Sequence, residues 1–451
     1  MATTLATPGV YIEEKSSFGS SVVPVQTAIP AFVGYTAKAT RGSKDLTNVP
    51  TRISSLGQFE ELFGGAPKTK FNIESSDSAV GFNLSFVEES RFLLHSSMRL
   101  FYANGGADCY IVSVGSYNEK IDAAKLNDPK GGGLASLEKF MEPTIIVIPD
   151  AILLDENDCY SLQAAMLQHC GYKLKNRFAI LDVYEGAKER TFDEDDAVDK
   201  FRNGVGSNFL QWGASYYPFL NTTIVSKSEV DYTRIANLDG LVEVLSKEVA
   251  QNLEADNITA ARAEGITAEI DKIAETTDSD AVNSLNSTLT VISPSLNLIL
   301  GEISEMLNVL PPSPAMAGAY TMVDSQASVA QSPANISLGS VIAPLVNINN
   351  DNQEELNLPL NGKAVNAIRT FQGKGVLVWG ARTLEGNSKD YRYVSVRRTM
   401  TFLEQSIKSA AEAFVFAPNN ATTWSTLRAT VSSFLANQWQ SGLLAGQSAD
   451  D

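Results

Sequence analysis

Two histidines, three cysteines and two aspartates at strand ends are the residues of this sequence best equipped for chemistry. Their spacing forms no recognisable centre. His95 sits in FLLHSSMRLF and His169 in QHCGYKL. A general base needs a nucleophile and an orienting group within hydrogen-bond reach, and neither surrounding carries a motif for one. No HExxH, GxxxxGKS/T or GxSxG string occurs, so each histidine reads as a partly buried packing residue. Cys109, Cys159 and Cys170 match neither zinc nor redox spacing. An odd count behind a start, MATTLATPGVY, that lacks a basic region and an apolar core reads as reduced thiols in a chain made in the cytoplasm. Asp150 and Asp182 end TIIVIPD and RFAILDV, where catalytic carboxylates often sit in α/β folds. The plainer role is a helix cap or turn former. Gly131, Gly132 and Gly133 follow a polar stretch rather than a strand, so they read as a turn. The expectation is a chain with no catalytic residue, no metal and no cofactor.

Those residues would be positioned by a few kinds of element. IPAFVGY, DCYIVSVG, TIIVIPD and RFAILDV are short continuous apolar runs, and DCYSLQAAMLQHCGYKL among them is helical. Such runs predict a parallel or mixed sheet covered on both faces. Residues 225–308 change character. Leu238, Leu241, Val242, Leu245, Val249 and Leu253 recur at helical spacing, then Ile266, Ile270 and Ile273. Ser293-Pro294 is a cap and first-turn proline opening a stripe through Leu296, Ile299, Leu300 and Ile303. This predicts three amphipathic helices in a small bundle of their own, ended by Pro311, Pro312 and Pro314.

The C-terminal hundred residues predict two strands and two helices. Residues 376–379 form a short apolar run, and Tyr391, Tyr393, Val394 and Val396 belong to an alternating, half-buried stretch. Phe402, Leu403, Ile407, Ala410, Ala411 and Phe414 stripe one helix. Asn419 or Asn420 caps another, carrying Trp424, Leu427, Val431, Phe434, Leu435 and Trp439 and stopped by Gly442. At the other terminus, residues 1–22 read as an arm with one strand, Val10, Tyr11, Ile12 and Glu13, between Pro8-Gly9 and SSFGSS. A lone strand leaves its backbone groups unpaired, so it must complete its own sheet or join another chain.

Composition excludes several classes. With 44% hydrophobic and 19% charged residues in 451, the chain is globular and long enough for two or three domains. No run of eighteen apolar residues exists to span a membrane. A net charge of −17 argues against nucleic acid and against anionic membrane as partners. The charge is uneven: residues 225–310 hold fifteen acids against five bases, and residues 363–408 hold nine bases against three acids. Solvated faces of both signs would explain this. The sharper reading gives the basic region an acidic partner and leaves the acidic segment facing water.

The ordered strings TPGVYIEE, VPVQTAIPAFVGYTAKA, ISSLGQFEELFGG, FYANGGADCYIVSV, NRFAILDV, YYPFL, PPSPAMAGAY and NAIRTFQGKGVLVWGARTL, with the C-terminal elements after them, resemble contractile tail sheath proteins. That family includes phage sheaths, R-type pyocin sheaths and the sheaths of extracellular contractile injection systems, and AIPAFVGYTAKA is most similar to the last. The resemblance covers nearly all of the chain except roughly 225–308.

It implies a multidomain α/β protein: an arm over 1–22, a subtilisin-like α/β middle domain over 23–224 plus 309–360, an inserted acidic helical domain over 225–308 on the outside, and a C-terminal α+β assembly domain over 361–451. It implies a structural subunit, not an enzyme, stacked in rings around an inner tube protein. Baseplate and terminator partners are implied too, with paralogous subunits where a particle has several sheath chains. The arm, through Val10, Tyr11, Ile12 and Glu13, would add a strand to a neighbour's sheet containing Val376, Val378, Tyr391, Tyr393, Val394 and Val396. Arg397, Arg398 and Lys408 are the expected tube-facing bases, unless Arg397 or Arg398 pairs within its own domain. The family usually continues past LLAG with a second arm; here the sequence stops at QSADD, so that arm is expected to be short, missing or outside this sequence. A phage tail sheath is the nearest alternative, and a hydrolase on the α/β domain the remote one.

Overall fold

In a computed structural model, residues 22–76 and 81–448 are described; Val10, Tyr11, Ile12 and Glu13 lie outside them. The described residues form two compact units, Gln26–Thr399 and residues 400–448 with 22–25. The larger unit is built on an eight-stranded sheet: β1 (Pro30–Thr36), β2 (Thr51–Ile53), β3 (Cys109–Ser116), β4 (Ile145–Val147), β5 (Phe178–Asp182), β6 (Gly213–Tyr217), β7 (Asn366–Phe371) and β8 (Gly375–Val378). In space the order is β8-β7-β6-β5-β4-β1-β3-β2. Six central strands are parallel, and the edge strands β2 and β8 run antiparallel to their neighbours. From β3 to β7 the parallel strands therefore follow the order 2-1-3-4-5-6. The connection out of β1 leads to β3 on one side and the connection out of β4 leads to β5 on the other, as in doubly wound folds.

The apolar runs are continuous because the sheet is covered on both sides. Ala31, Val33 and Tyr35 of β1 belong to one core cluster and Phe32 to the other, the period-2 division of a strand buried twice. Phe32 stands opposite Ile111 on β3 and Val147 on β4. The helix α1 (Leu94–Ala103) brings Met98 and Phe101 to the Phe32 side, and α2 (Glu156–Gln168) brings Cys159, Met166 and Leu167 to the other.

Between residues 238 and 307 lie four helices, not three: α3 (Leu238–Glu254), α4 (Ala260–Asp271), α5 (Ser279–Ile292) and α6 (Pro294–Leu307). Ser293 caps α6 as expected, accepting from the backbone N–H of Leu296. The additional helix α5 buries Val282, Leu285 and Leu289. These helices share a third cluster with the hairpin Phe71–Ser75/Phe82–Phe86, through Phe71, Ile73 and Phe82. The chain then enters α7 (Ser313–Gln326), whose face carrying Met316 and Tyr320 joins the Phe32 side of the sheet, and later α8 (Asn350–Asn357).

Helix α9 (Val394–Ala411) starts eight residues before the stripe at Phe402 predicts, and its last turns, from Met400, belong to the smaller unit. In that unit Phe402 packs against Phe434 of α10 (Ala421–Gln440), ring centroids 6.2 Å apart. Asn420 caps α10 as expected, its side chain accepting from the N–H of Thr423.

Candidate functional site

The carboxyl ends of the parallel strands are where a doubly wound sheet binds ligands, above all where successive connections diverge. Here that position lies between β1 and β4, where the buried Asp150 sits. Its Oδ2 accepts from the N–H of Tyr35 (3.0 Å) and its Oδ1 from the N–H of Leu93 (2.7 Å), at the start of α1. Gly34 leaves room for the carboxylate, since a Cβ there would come within 2.6 Å of Asp150 Oδ2. One strand over, Asp182 accepts from the backbone N–H of Ser313 (2.8 Å) and from its hydroxyl, at the start of α7. Each aspartate therefore caps a helix remote in sequence, the plainer of the two roles expected. Burial pushes the Asp150 carboxyl up to about 6 and Asp182 up to about 7, against the pull of these hydrogen bonds.

The other reactive residues are equally committed to packing. His95 is buried on α1 with Nε2 3.2 Å from Glu60, and burial lowers its pKa. His169 is buried against Arg177, its Nε2 3.1 Å from a guanidinium nitrogen; burial and that cation lower it to about 3. Cys109, Cys159 and Cys170 are buried free thiols whose pKa values burial raises, the opposite of an activated nucleophile. Among the described residues no group of three His, Cys, Asp or Glu could hold a metal ion.

At the residues expected to assemble, the structure corrects the strand expected at Tyr391–Val396 and takes one of the two readings left open for Arg397 and Arg398. Val376 and Val378 do lie in a strand, β8, at an edge of the large sheet. That edge is already covered from within: Val378 donates its N–H to Ile336 O (3.0 Å) and accepts from Asn335 N–H (2.8 Å). Tyr391, Tyr393, Val394 and Val396 do not form a strand. Tyr393 makes a single bridge with Arg382, and Val394 begins α9. Six alternating residues also fit a helix face, and Val394, Arg397 and Arg398, at spacings of three and four, are all buried.

Arg397 and Arg398 are consequently turned inward rather than toward a partner. The Arg397 guanidinium lies 4.3 Å from the Trp212 ring and 4.5 Å from Tyr391. That of Arg398 forms a two-bonded pair with Asp324 (2.6 and 2.9 Å), donates to Thr27 O (3.0 Å) and lies 4.8 Å from the Tyr320 ring. An arginine is amphipathic enough to be buried when aromatic faces and a carboxylate receive it. Lys408, in the smaller unit, is exposed. A second buried ionic group went unnoticed in the sequence: Arg190 and Arg202, each almost fully buried, both reach Glu355 of α8, and Arg190 also pairs with Asp196. Nothing in the spacing of these four residues signals their convergence.

Comparison with known proteins finds sheath proteins. The family model described as phage tail sheath C-terminal domain matches residues 387–451. The sheath of the PVC extracellular contractile injection system in its contracted state is 25% identical, with a TM-score of 0.56 over 100% of this chain and 86% of that one. The contracted helical sheath of the anti-feeding prophage is 25% identical, with a TM-score of 0.58 over 99% and 87%. A chain of the contracted anti-feeding prophage baseplate shares the fold at 23% identity and a TM-score of 0.63, over 99% and 88%. No curated protein matches the chain.

Proposed function

We propose that this chain, a relative of the contractile tail sheath proteins, is the structural subunit of a contractile sheath. It polymerises helically around an inner tube and contracts to drive the tube through a target envelope. The observation that carries this reading is likeness along the whole length, at 25% identity, to sheaths of contractile injection systems. The same likeness favours an injection system over a phage tail. The engagement of Asp150 and Asp182 at helix starts agrees with a scaffold in which the work is done by assembly, since a fold does not by itself carry an activity. No helix among the described residues is long and apolar enough to cross a membrane.

In this reading the arm over residues 1–22 links copies by adding its strand to a neighbour, a heterologous contact that does not close and so builds a helical mesh. The middle region, related to subtilisin in topology by the family resemblance, carries the load. The acidic helices of 225–308 lie outermost. The extended sheath is a trapped state, and contraction releases what assembly stored.

The chain should therefore form long striated tubes when produced with an inner tube protein of such a system, seen by negative-stain microscopy. Dispersed monomers under all such conditions would sink the reading.

A further inference from the structure

One cleft gathers bases in a chain whose net charge is −17. It opens at the carboxyl ends of β1 and β3, has a volume of about 580 Å³, and is lined in part by Lys38, Lys125 and Lys130. The hairpin Thr40–Arg41/Lys44–Asp45, which follows Ala39 on the cleft wall, adds the exposed Arg41 and Lys44 together with Asp45, whose carboxylate accepts from the N–H and hydroxyl of Thr47. Of the acids in the lining, Glu119 is bonded to Lys125, and Asp128 accepts from the backbone N–H of Lys130. Among the described residues, Lys38, Arg41, Lys44 and Lys130 have no carboxylate partner within 4.0 Å.

The walls are held in place before anything binds. Asn48, at φ +58°, donates its N–H to Ser113 O (2.8 Å), and its side chain accepts from Gly133 N–H (2.8 Å). Gly133, at φ +53°, lies so close to the preceding turn that a Cβ would meet Leu126 O at 2.3 Å. The loop bearing Lys130 is thereby tied to the end of β3. A preformed cleft spends little conformational entropy on its occupant.

Five bases against three acids around a concave opening favour an anion. Copies of an acidic chain repel over most of their surfaces, so a basic cleft is where an acidic surface of a neighbour is accommodated at least cost. The loop 191–195 is such a surface. It is exposed throughout; Asp195 pairs with Lys200, while Asp193 bonds only neutral groups, Thr191 and the Asp195 N–H. Glu194 beside it adds a further exposed carboxylate.

We infer that the basic cleft at the ends of β1 and β3 docks the acidic loop 193–195 of a second copy of this chain. Cleft and loop are different surfaces, so the contact is heterologous and passes from copy to copy without closing. The inference rests on the sheath reading. Exposed pairs worth at most about 1 kcal/mol each give a contact that forms readily and weakens with salt.

The test uses the full chain. K38E/R41E/K130E should reduce tube formation by about tenfold or more, the effect of losing two or three such pairs, while the melting temperature stays close to wild type. D193K/E194K should do the same, and the two sets combined should restore tubes. A cleft reversal that assembles like wild type, or folded single sets that the combination does not rescue, overturns the docking. Carbodiimide coupling of a mixture of isotopically labelled and unlabelled chains gives a readout independent of tubes: Lys38 or Lys130 joined to Asp193 or Glu194 across copies is expected. Absence of that product in a concentrated sample overturns the inference even where wild type forms no tubes, an outcome that by itself would count only against the sheath reading.

Discussion

Arg398 and Asp324 close on each other inside the larger unit at 2.6 Å, with 5% of either side chain exposed. The guanidinium also lies over Tyr320, whose hydroxyl is 2.8 Å from that of Tyr216. A helix-start arginine, an aspartate near the end of α7 and a tyrosine of β6 thus meet at one buried point. Burial lowers the Arg398 pKa, but the Asp324 charge and hydrogen bond outweigh it and hold the value above the ordinary one. The guanidinium stays ionised, and removing one member of the pair strands the other.

Arg398→Met should therefore destabilise the protein by about 3–5 kcal/mol, the usual effect of leaving a buried charge alone. Asp324→Leu should be similar. The double variant should recover most of the loss, since an apolar pair of like volume is often neutral. Urea unfolding at pH 7 measures all three. A single variant within 1 kcal/mol of wild type would show that water reaches the pair.

Asp182 and His169 should give stability opposite dependences on pH. Asp182 titrates in the folded state near 7, above the ordinary carboxyl value of about 3.9, so the folded chain holds the extra proton between those values. Its contribution must fall as pH rises from about 4 to 7. His169 titrates near 3 when folded, below the ordinary 6.5, so the unfolded chain takes the proton first and stability falls as pH drops below about 6.5. Each unit of difference is worth about 1.4 kcal/mol. The stability gap between wild type and Asp182→Asn should narrow from pH 4.5 to 7.5, and the gap to His169→Asn should narrow in the other direction. Parallel curves for either variant would refute that group's share.

What could be read beforehand follows from how each segment is buried. IPAFVGY is covered on both faces, so it carries an unbroken apolar signal and was legible as a strand. Ser293-Pro294 and Asn420 were legible because capping is local chemistry. Helix α5 was missed because SDAVNSLNSTLTVI buries only three apolar residues among serines, threonines and asparagines. The alternation at Tyr391–Val396 misled because six residues fit either period. The inward turn of Arg397 and Arg398 was one of two readings left open: a basic residue shows its charge in the sequence, whereas Trp212, Tyr320 and Asp324, which receive it, lie 74 to 185 residues away in the chain.

With those arginines engaged internally, the proposed contact with the tube falls to Lys408. It is exposed in the smaller unit, four residues beyond Glu404 on the same helix. Lys408→Glu should lower co-assembly with the tube severalfold at low salt and less at 0.5 M, because exposed charges are screened there. Monomer stability should change by less than about 0.5 kcal/mol, as usual for surface substitutions. Unchanged co-assembly at low salt would remove Lys408 from the tube contact.

The helices α3 to α6 should be removable, but not by cutting 225–308 alone. Their cluster includes Phe71, Ile73 and Phe82 of the hairpin Phe71–Ser75/Phe82–Phe86, all nearly inaccessible to solvent. The backbone agrees with the packing: Ala236 N–H donates to Phe71 O, and the Asn237 side chain bonds both the N–H and the O of Ile73. Replacing 225–308 by a short Gly/Ser linker would expose those three side chains together, a patch of the kind that drives aggregation. Replacing 225–308 and also residues 71–86 by linkers should instead leave the sheet from β1 to β8 folded, because its two core clusters contain none of the hairpin's residues. Soluble yield and a cooperative melt of the two deletions make the comparison. The expected order is an aggregating single deletion and a soluble, cooperatively melting double deletion; a soluble single deletion, or a double deletion that does not fold, would show that hairpin and helices do not form one packing unit.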